Sequence, residues 1–77
     1  MSTSRNDITY VMVREKLVKI YGKDESLLSL LARIKKEYPM ASGAVEYLRG
    51  VYFYGTQIPS AKKINEALEK IKSAILG

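Results

Sequence analysis

The groups that could do chemistry in this chain are eight carboxylates, thirteen Lys and Arg, six Tyr and scattered Ser, with no His, Cys or Trp. Cys/His zinc sites, disulfides, thiol nucleophiles and imidazole acid–base catalysis are thereby excluded. The spacing of what remains is unpromising for catalysis. Lys62, Glu66 and Lys70 form an i, i+4 ladder of alternating sign, with Glu69 beside it, and such ladders ordinarily support a solvated helix face. Glu15, Glu37 and Glu46 fall singly on polar faces of different segments. No Gly-rich phosphate loop, carboxylate metal motif or nucleophile elbow is present, so neither a cofactor nor a metal is implied.

Positive charge is the next candidate. The formal balance is +5 and the pI about 9.6, which meets the crude electrostatic criterion for binding phosphates. The charge is dispersed, however, as Lys35-Lys36, Lys62-Lys63 and the pair Lys70 and Lys72, with acids between them. No segment gathers base-reading Arg, Asn and Gln at a helix start, so nucleic acid is not the expected partner. A small helix-turn-helix protein nonetheless remains an alternative. Anionic membrane surfaces would attract the same charges.

The elements that must position these groups follow from length and periodicity. Seventy-seven residues, 47% hydrophobic and 27% charged, make one small domain with a single core. The polar start Met1-Ser2-Thr3-Ser4-Arg5-Asn6 is expected to be disordered. No apolar run approaches the roughly 18 residues of a membrane span. The cysteine-free composition suits a cytoplasmic protein, free or held against the inner face of the membrane.

Four amphipathic segments can be read. The first begins near Asn6 or Asp7 and carries Tyr10, Val13, Leu17, Ile20 and Tyr21 on one face, ending at Gly22. The second, capped by Asp24, carries Leu27, Leu28, Leu30, Leu31, Ile34 and Tyr38 and stops at Pro39. The third, with Ser42 as a cap, carries Ala44, Tyr47, Leu48, Val51 and Tyr52 and ends at Gly55; Val51-Tyr52-Phe53-Tyr54 has some strand character but is read as helix. The fourth follows Pro59 and Ser60, with Ala61, Ile64, Leu68, Ile71 and Ile75 in a stripe. Short connections predict an all-α, antiparallel up-down-up-down four-helix bundle spanning residues 1–77.

Phe53 breaks the pattern. At 100° per residue it points with Glu46 and Arg49, opposite Leu48 and Val51. A large apolar group there is either covered by the Gly55–Ile58 loop or used, with Tyr54, as part of a protein-docking patch. Met12 and Ile8 are similarly outward on the first segment. The other tyrosines are expected in the core with their hydroxyls at its rim.

Leu27-Leu28-Ser29-Leu30-Leu31, Lys35-Lys36-Glu37-Tyr38, Ala44-Val45-Glu46-Tyr47-Leu48, Gly55-Thr56-Gln57-Ile58-Pro59-Ser60 and the Leu68–Ile71 helix together resemble the enterocin A-type immunity proteins, the immunity partners of class IIa bacteriocins. The resemblance implies a cytosolic, non-catalytic four-helix bundle that protects the producing cell from its own membrane-permeabilising peptide. The implied partner is a complex of the bacteriocin with a mannose phosphotransferase permease, engaged from the cytosolic side. It also points to the third and fourth segments for specificity, with Tyr54, Gln57, Lys62 and Lys63 as candidate contacts beside the Phe53 of the docking patch. The resemblance does not extend to the tail with which members of that family choose their cognate bacteriocin. The competing classes are a small basic nucleic-acid-binding regulator and an adaptor or toxin–antitoxin component using Phe53 and its neighbours.

Overall fold

A computed structural model describes the backbone of residues 5–77 and the side chains from residue 10 onward. Residues 1–4, most of the stretch expected to be disordered, and the side chain of Ile8 lie outside the described residues. The described residues form four α-helices: α1 (Arg5–Tyr21), α2 (Leu27–Glu37), α3 (Ser42–Arg49) and α4 (Ala61–Leu76). A 3-10 turn, Pro39–Ala41, leads into α3, and a π-helical turn, Gly50–Tyr54, extends it. No strand occurs among the described residues, and the Val51–Tyr54 stretch is helical.

Each boundary has a local cause. Gly22 takes a left-handed φ of 87° and donates its N–H to the Val18 carbonyl at 2.8 Å, closing α1. The cap of α2 is Ser26, whose hydroxyl accepts from the Ser29 N–H at 3.3 Å, and not the expected Asp24. Asp24 instead pairs with Arg14, 2.6 Å away. Pro39 stops α2 by forcing Tyr38 out of the helical region, to φ −129° and ψ 74°. Ser42, expected as a cap, is already the first residue of α3. The 3-10 turn satisfies the free N–H groups there, Ala41 donating to the Tyr38 carbonyl at 2.9 Å. Ser60 caps α4 as its type suggests, accepting from the Lys63 N–H at 3.4 Å.

The core joins all four helices, with α1 against α2 and α4, α2 against α3, and α3 against α4. Leu27, Leu30, Leu31 and Ile34 of α2, Ala44, Val45 and Leu48 of α3, and Ile64, Ala67, Leu68 and Ile71 of α4 are buried. Only Val13 and Leu17 are buried among the described α1 side chains. Leu28, expected in the α2 arc, is 44% exposed because it lies roughly 100° around the helix from Leu27.

The direction of α1 departs from the antiparallel hairpin that a short connection suggests. Arg14, midway along α1, donates from Nε to the Glu25 carbonyl at 3.1 Å, just ahead of α2. Tyr21, the last residue of α1, donates its hydroxyl to Glu37, the last of α2, at 2.7 Å. Start lies by middle and end by end, so α2 runs broadly with α1. Five connecting residues reach far enough for this, at about 3.3 Å each when extended, and the chain doubles back along α1 before α2 begins.

The same sense relates α1 to α4. Met12, Val13 and Lys16 share a cleft with Ala61, Ile64, Asn65 and Leu68, and Lys16, Lys19 and Ile20 share the next one with Asn65, Leu68, Glu69 and Lys72. In contrast, α3 opposes its neighbours. Met40, ahead of α3, shares a cleft with Ser73 and Ala74 near the end of α4, while Tyr47, late in α3, donates to the Ile58 carbonyl ahead of α4.

The burial pattern makes a paired prediction. Leu31→Ala should lower the unfolding free energy by about 2–5 kcal/mol, and Leu28→Ala by less than about 1 kcal/mol, as measured by urea denaturation. Equal losses would show that α2 is rotated from this packing.

Candidate functional site

The predicted partner-binding residues converge on the end of the molecule where α3 gives way to α4. Three N–H groups point at one carbonyl there: Gly55, Thr56 at 3.0 Å and Gln57 at 3.4 Å all donate towards the Gly50 oxygen. The Gly55 bond is the i to i+5 contact that makes the turn π-helical, and a φ of 69° at Gly55 lets the chain fold back immediately afterwards. The returning loop lies so close that a Cβ on Gly50 would sit 2.5 Å from Gln57 Cγ and 2.7 Å from Thr56 Oγ1. Any larger residue there would require the Gln57 and Thr56 side chains to shift. At its other end the Tyr47 hydroxyl donates to the Ile58 carbonyl at 2.9 Å, and Ser60 starts α4.

This geometry decides where each predicted residue lies. Phe53 is half-buried: its ring meets Tyr10 of α1 at 6.2 Å with planes 69° apart, and Tyr10 meets Tyr52 edge-on at 5.5 Å and 88°. Phe53 is covered by α1 rather than by the Gly55–Ile58 loop, and it packs against the core. Tyr54 is 53% exposed and stacks under the Arg49 guanidinium, whose carbon is 5.3 Å from the ring centre. Gln57 is exposed over Gly50, and Lys62 and Lys63 are exposed in the first turn of α4. Tyr54, Gln57, Lys62 and Lys63 therefore share one end of the fold, while Phe53 turns in to seal α1 against it.

Ile58, 85% exposed in this loop, is the strongest apolar feature that the residue pattern left unused, although an Ile between Gln57 and Pro59 in a polar connection was a visible signal. Gly50, an isolated glycine within a helical pattern, was another. Behind the tip, Glu46 accepts from Lys35 at 2.7 Å and from Arg49 at 3.2 Å. The Lys35 hydrogen bond, reinforced by both positive charges, holds the Glu46 carboxyl below its usual range. Two polar atoms, Arg49 Nε and the Tyr52 hydroxyl, are buried without a hydrogen-bond partner among the described residues. Burial pushes the Tyr52 hydroxyl up to about 12.

Chemically, the tip offers apolar contact from Tyr54 and Ile58, hydrogen bonding from the Gln57 amide, and positive charge from Lys62 and Lys63. Among the described residues no group of three or more His, Cys, Asp or Glu is placed to hold a metal ion. Comparison of the chain with protein-family models, with curated proteins and with solved structures gives no match.

The orphaned hydroxyl yields a prediction. Tyr52→Phe keeps the ring and removes an unsatisfied buried group, so stability at pH 7 should be unchanged or higher. Because the folded state holds the Tyr52 proton where unfolded tyrosine has lost it, its contribution is present below pH 10 and is lost as pH rises towards 12. Denaturant melts across this window should fall more steeply for the parent than for Tyr52→Phe. A clear loss of stability in the variant at pH 7 would show that the hydroxyl has a partner.

Proposed function

We propose that this chain is a bacteriocin immunity protein, a non-catalytic helical binding module. It acts from the cytoplasmic side on a class IIa bacteriocin held by a mannose phosphotransferase-type permease. The observation that carries this reading is the tip between α3 and α4. Ile58 and Tyr54 are displayed to solvent on a loop braced at both ends. Burying an aliphatic side chain of this kind stabilises a contact by about 1.5–3 kcal/mol. A braced loop loses little further conformational freedom on docking.

Further support comes from the resemblance to enterocin A-type immunity proteins. It rests on the stretch from Leu27 to Ile71, which is α2, α3 and α4, so the direction taken by α1 leaves its residues in place. No described helix is long and apolar enough to cross a membrane, which suits docking on an exposed face of a permease. Contact through Tyr54, Gln57, Ile58, Lys62 and Lys63 would join apolar anchors to a basic margin, an arrangement common at protein interfaces.

Expression in a bacteriocin-sensitive Gram-positive strain, followed by killing curves with a panel of class IIa peptides, tests the reading. Selective survival against one or a few peptides is expected, and Tyr54→Ser combined with Ile58→Ser should abolish it while leaving the protein folded. Phe53→Ser is a poorer probe because its ring packs on Tyr10. Uniform killing despite abundant, folded protein would contradict the proposal.

A further inference from the structure

We infer that the groove between α1 and α4 docks an acidic amphipathic helix from a partner protein. This surface is separate from the tip, and the inference does not depend on the immunity reading. The groove consists of two clefts, of about 150 Å³ and 240 Å³, that meet at Lys16, Asn65 and Leu68. The first is apolar, with Met12, Val13, Ala61 and Ile64 around it. The second is basic, with Lys19 and Lys72 beside Lys16 and only Glu69 opposing them.

Three observations select the occupant. First, each cleft is smaller than the roughly 300–1,000 Å³ of a typical small-molecule site, so the pair suits successive side chains rather than one enclosed ligand. Second, the groove follows α1 from Met12 to Lys19, about 10 Å at 1.5 Å per residue. That is two helical turns, the span of residues at i, i+3 or i+4, and i+7 on a docked helix. Third, its charge is predominantly positive: Lys16, Lys19 and Lys72 stand against Glu69 alone, and none of the four ion pairs among the described residues engages them. An apolar residue seated by Met12 and Ile64, with Glu or Asp one to two turns further on, complements both halves. Met12, 50% exposed, supplies an adaptable contact. Nucleic acid would leave the apolar cleft unused. An anionic lipid surface would respond to the whole cationic exterior, and not to this one line of residues.

The test uses the full chain and a fluorescein-labelled 15-residue amphipathic helix carrying two leucines one turn apart, followed on the same face by three glutamates. Fluorescence anisotropy should show saturable binding. Lys16→Glu with Lys72→Glu, and separately Met12→Asp, should each weaken it about tenfold or more, equivalent to about 1.4 kcal/mol. Lys36→Glu, away from the groove, should change it less than about twofold. If the double charge reversal loses its helical circular dichroism, Lys16→Gln with Lys72→Gln provides the same contrast. The inference is overturned if no binding is seen, if a peptide with lysines replacing the glutamates binds equally, or if Lys36→Glu is as damaging as the groove variants. It is also overturned if the chain binds phosphatidylglycerol vesicles while ignoring the acidic peptide.

Discussion

Val13 and Leu17, one turn apart, are the two described α1 side chains that enter the core. Their insertion beside α2 and α4 constrains much of the rest. The other three helices each bury three or four side chains and supply most of the core, whereas α1 is held along a narrow ridge. A ridge that narrow cannot cover the flanks beside it. Val11 and Met12 are left about half-exposed, and the clefts towards α4 remain open. α1 is secured further by Tyr10, in its second turn, against the rings of Tyr52 and Phe53 and by the Tyr21 hydroxyl on Glu37 at its end. Arg14 holds the returning connection between them.

The two exposed surfaces arise from different physics. At the tip, a carbonyl shared by successive N–H groups and a close approach over Gly50 brace a loop that carries exposed apolar groups. Arg49 Nε at the end of α3 and the Tyr52 hydroxyl in the π turn are buried without a hydrogen-bond partner among the described residues. Along α1 and α4 the groove is a consequence of parallel packing, with apolar and basic residues in succession. A bundle with α1 reversed would bring the start of α1 beside the end of α4 and would not create this sequence of groups.

Periodicity made most of the helices readable, because Leu30, Leu31, Ile34, Leu48, Ile64, Leu68 and Ile71 repeat with the spacing of a buried face. Glycine and proline marked the stops. The direction of α1 was not readable: a five-residue connection permits both a hairpin and a return along the helix, and Arg14 with Asp24 and Glu25 is a long-range choice without a local signature. Phe53 was misplaced for a related reason. Its cover is Tyr10 of α1, a long-range contact that its angular position within one helix does not express. The candidate tip was partly readable from Tyr54, Gln57, Lys62 and Lys63, but the closeness of Gln57 to Gly50 depends on backbone geometry that residue type alone does not express.

The shared sense of α1 and α4 underlies the groove, the sealing role of Tyr10 and the separation of the two surfaces. Methyl–methyl nuclear Overhauser contacts in protein labelled at Ile, Leu and Val report it most directly. Parallel packing predicts contacts from Val13 to Ile64 and Leu68, and from Ile20 to Leu68. Contacts from Val13 to Ile71 or Ile75, together with contacts from Ile20 to Ile64, would show α1 running the opposite way and would contradict it.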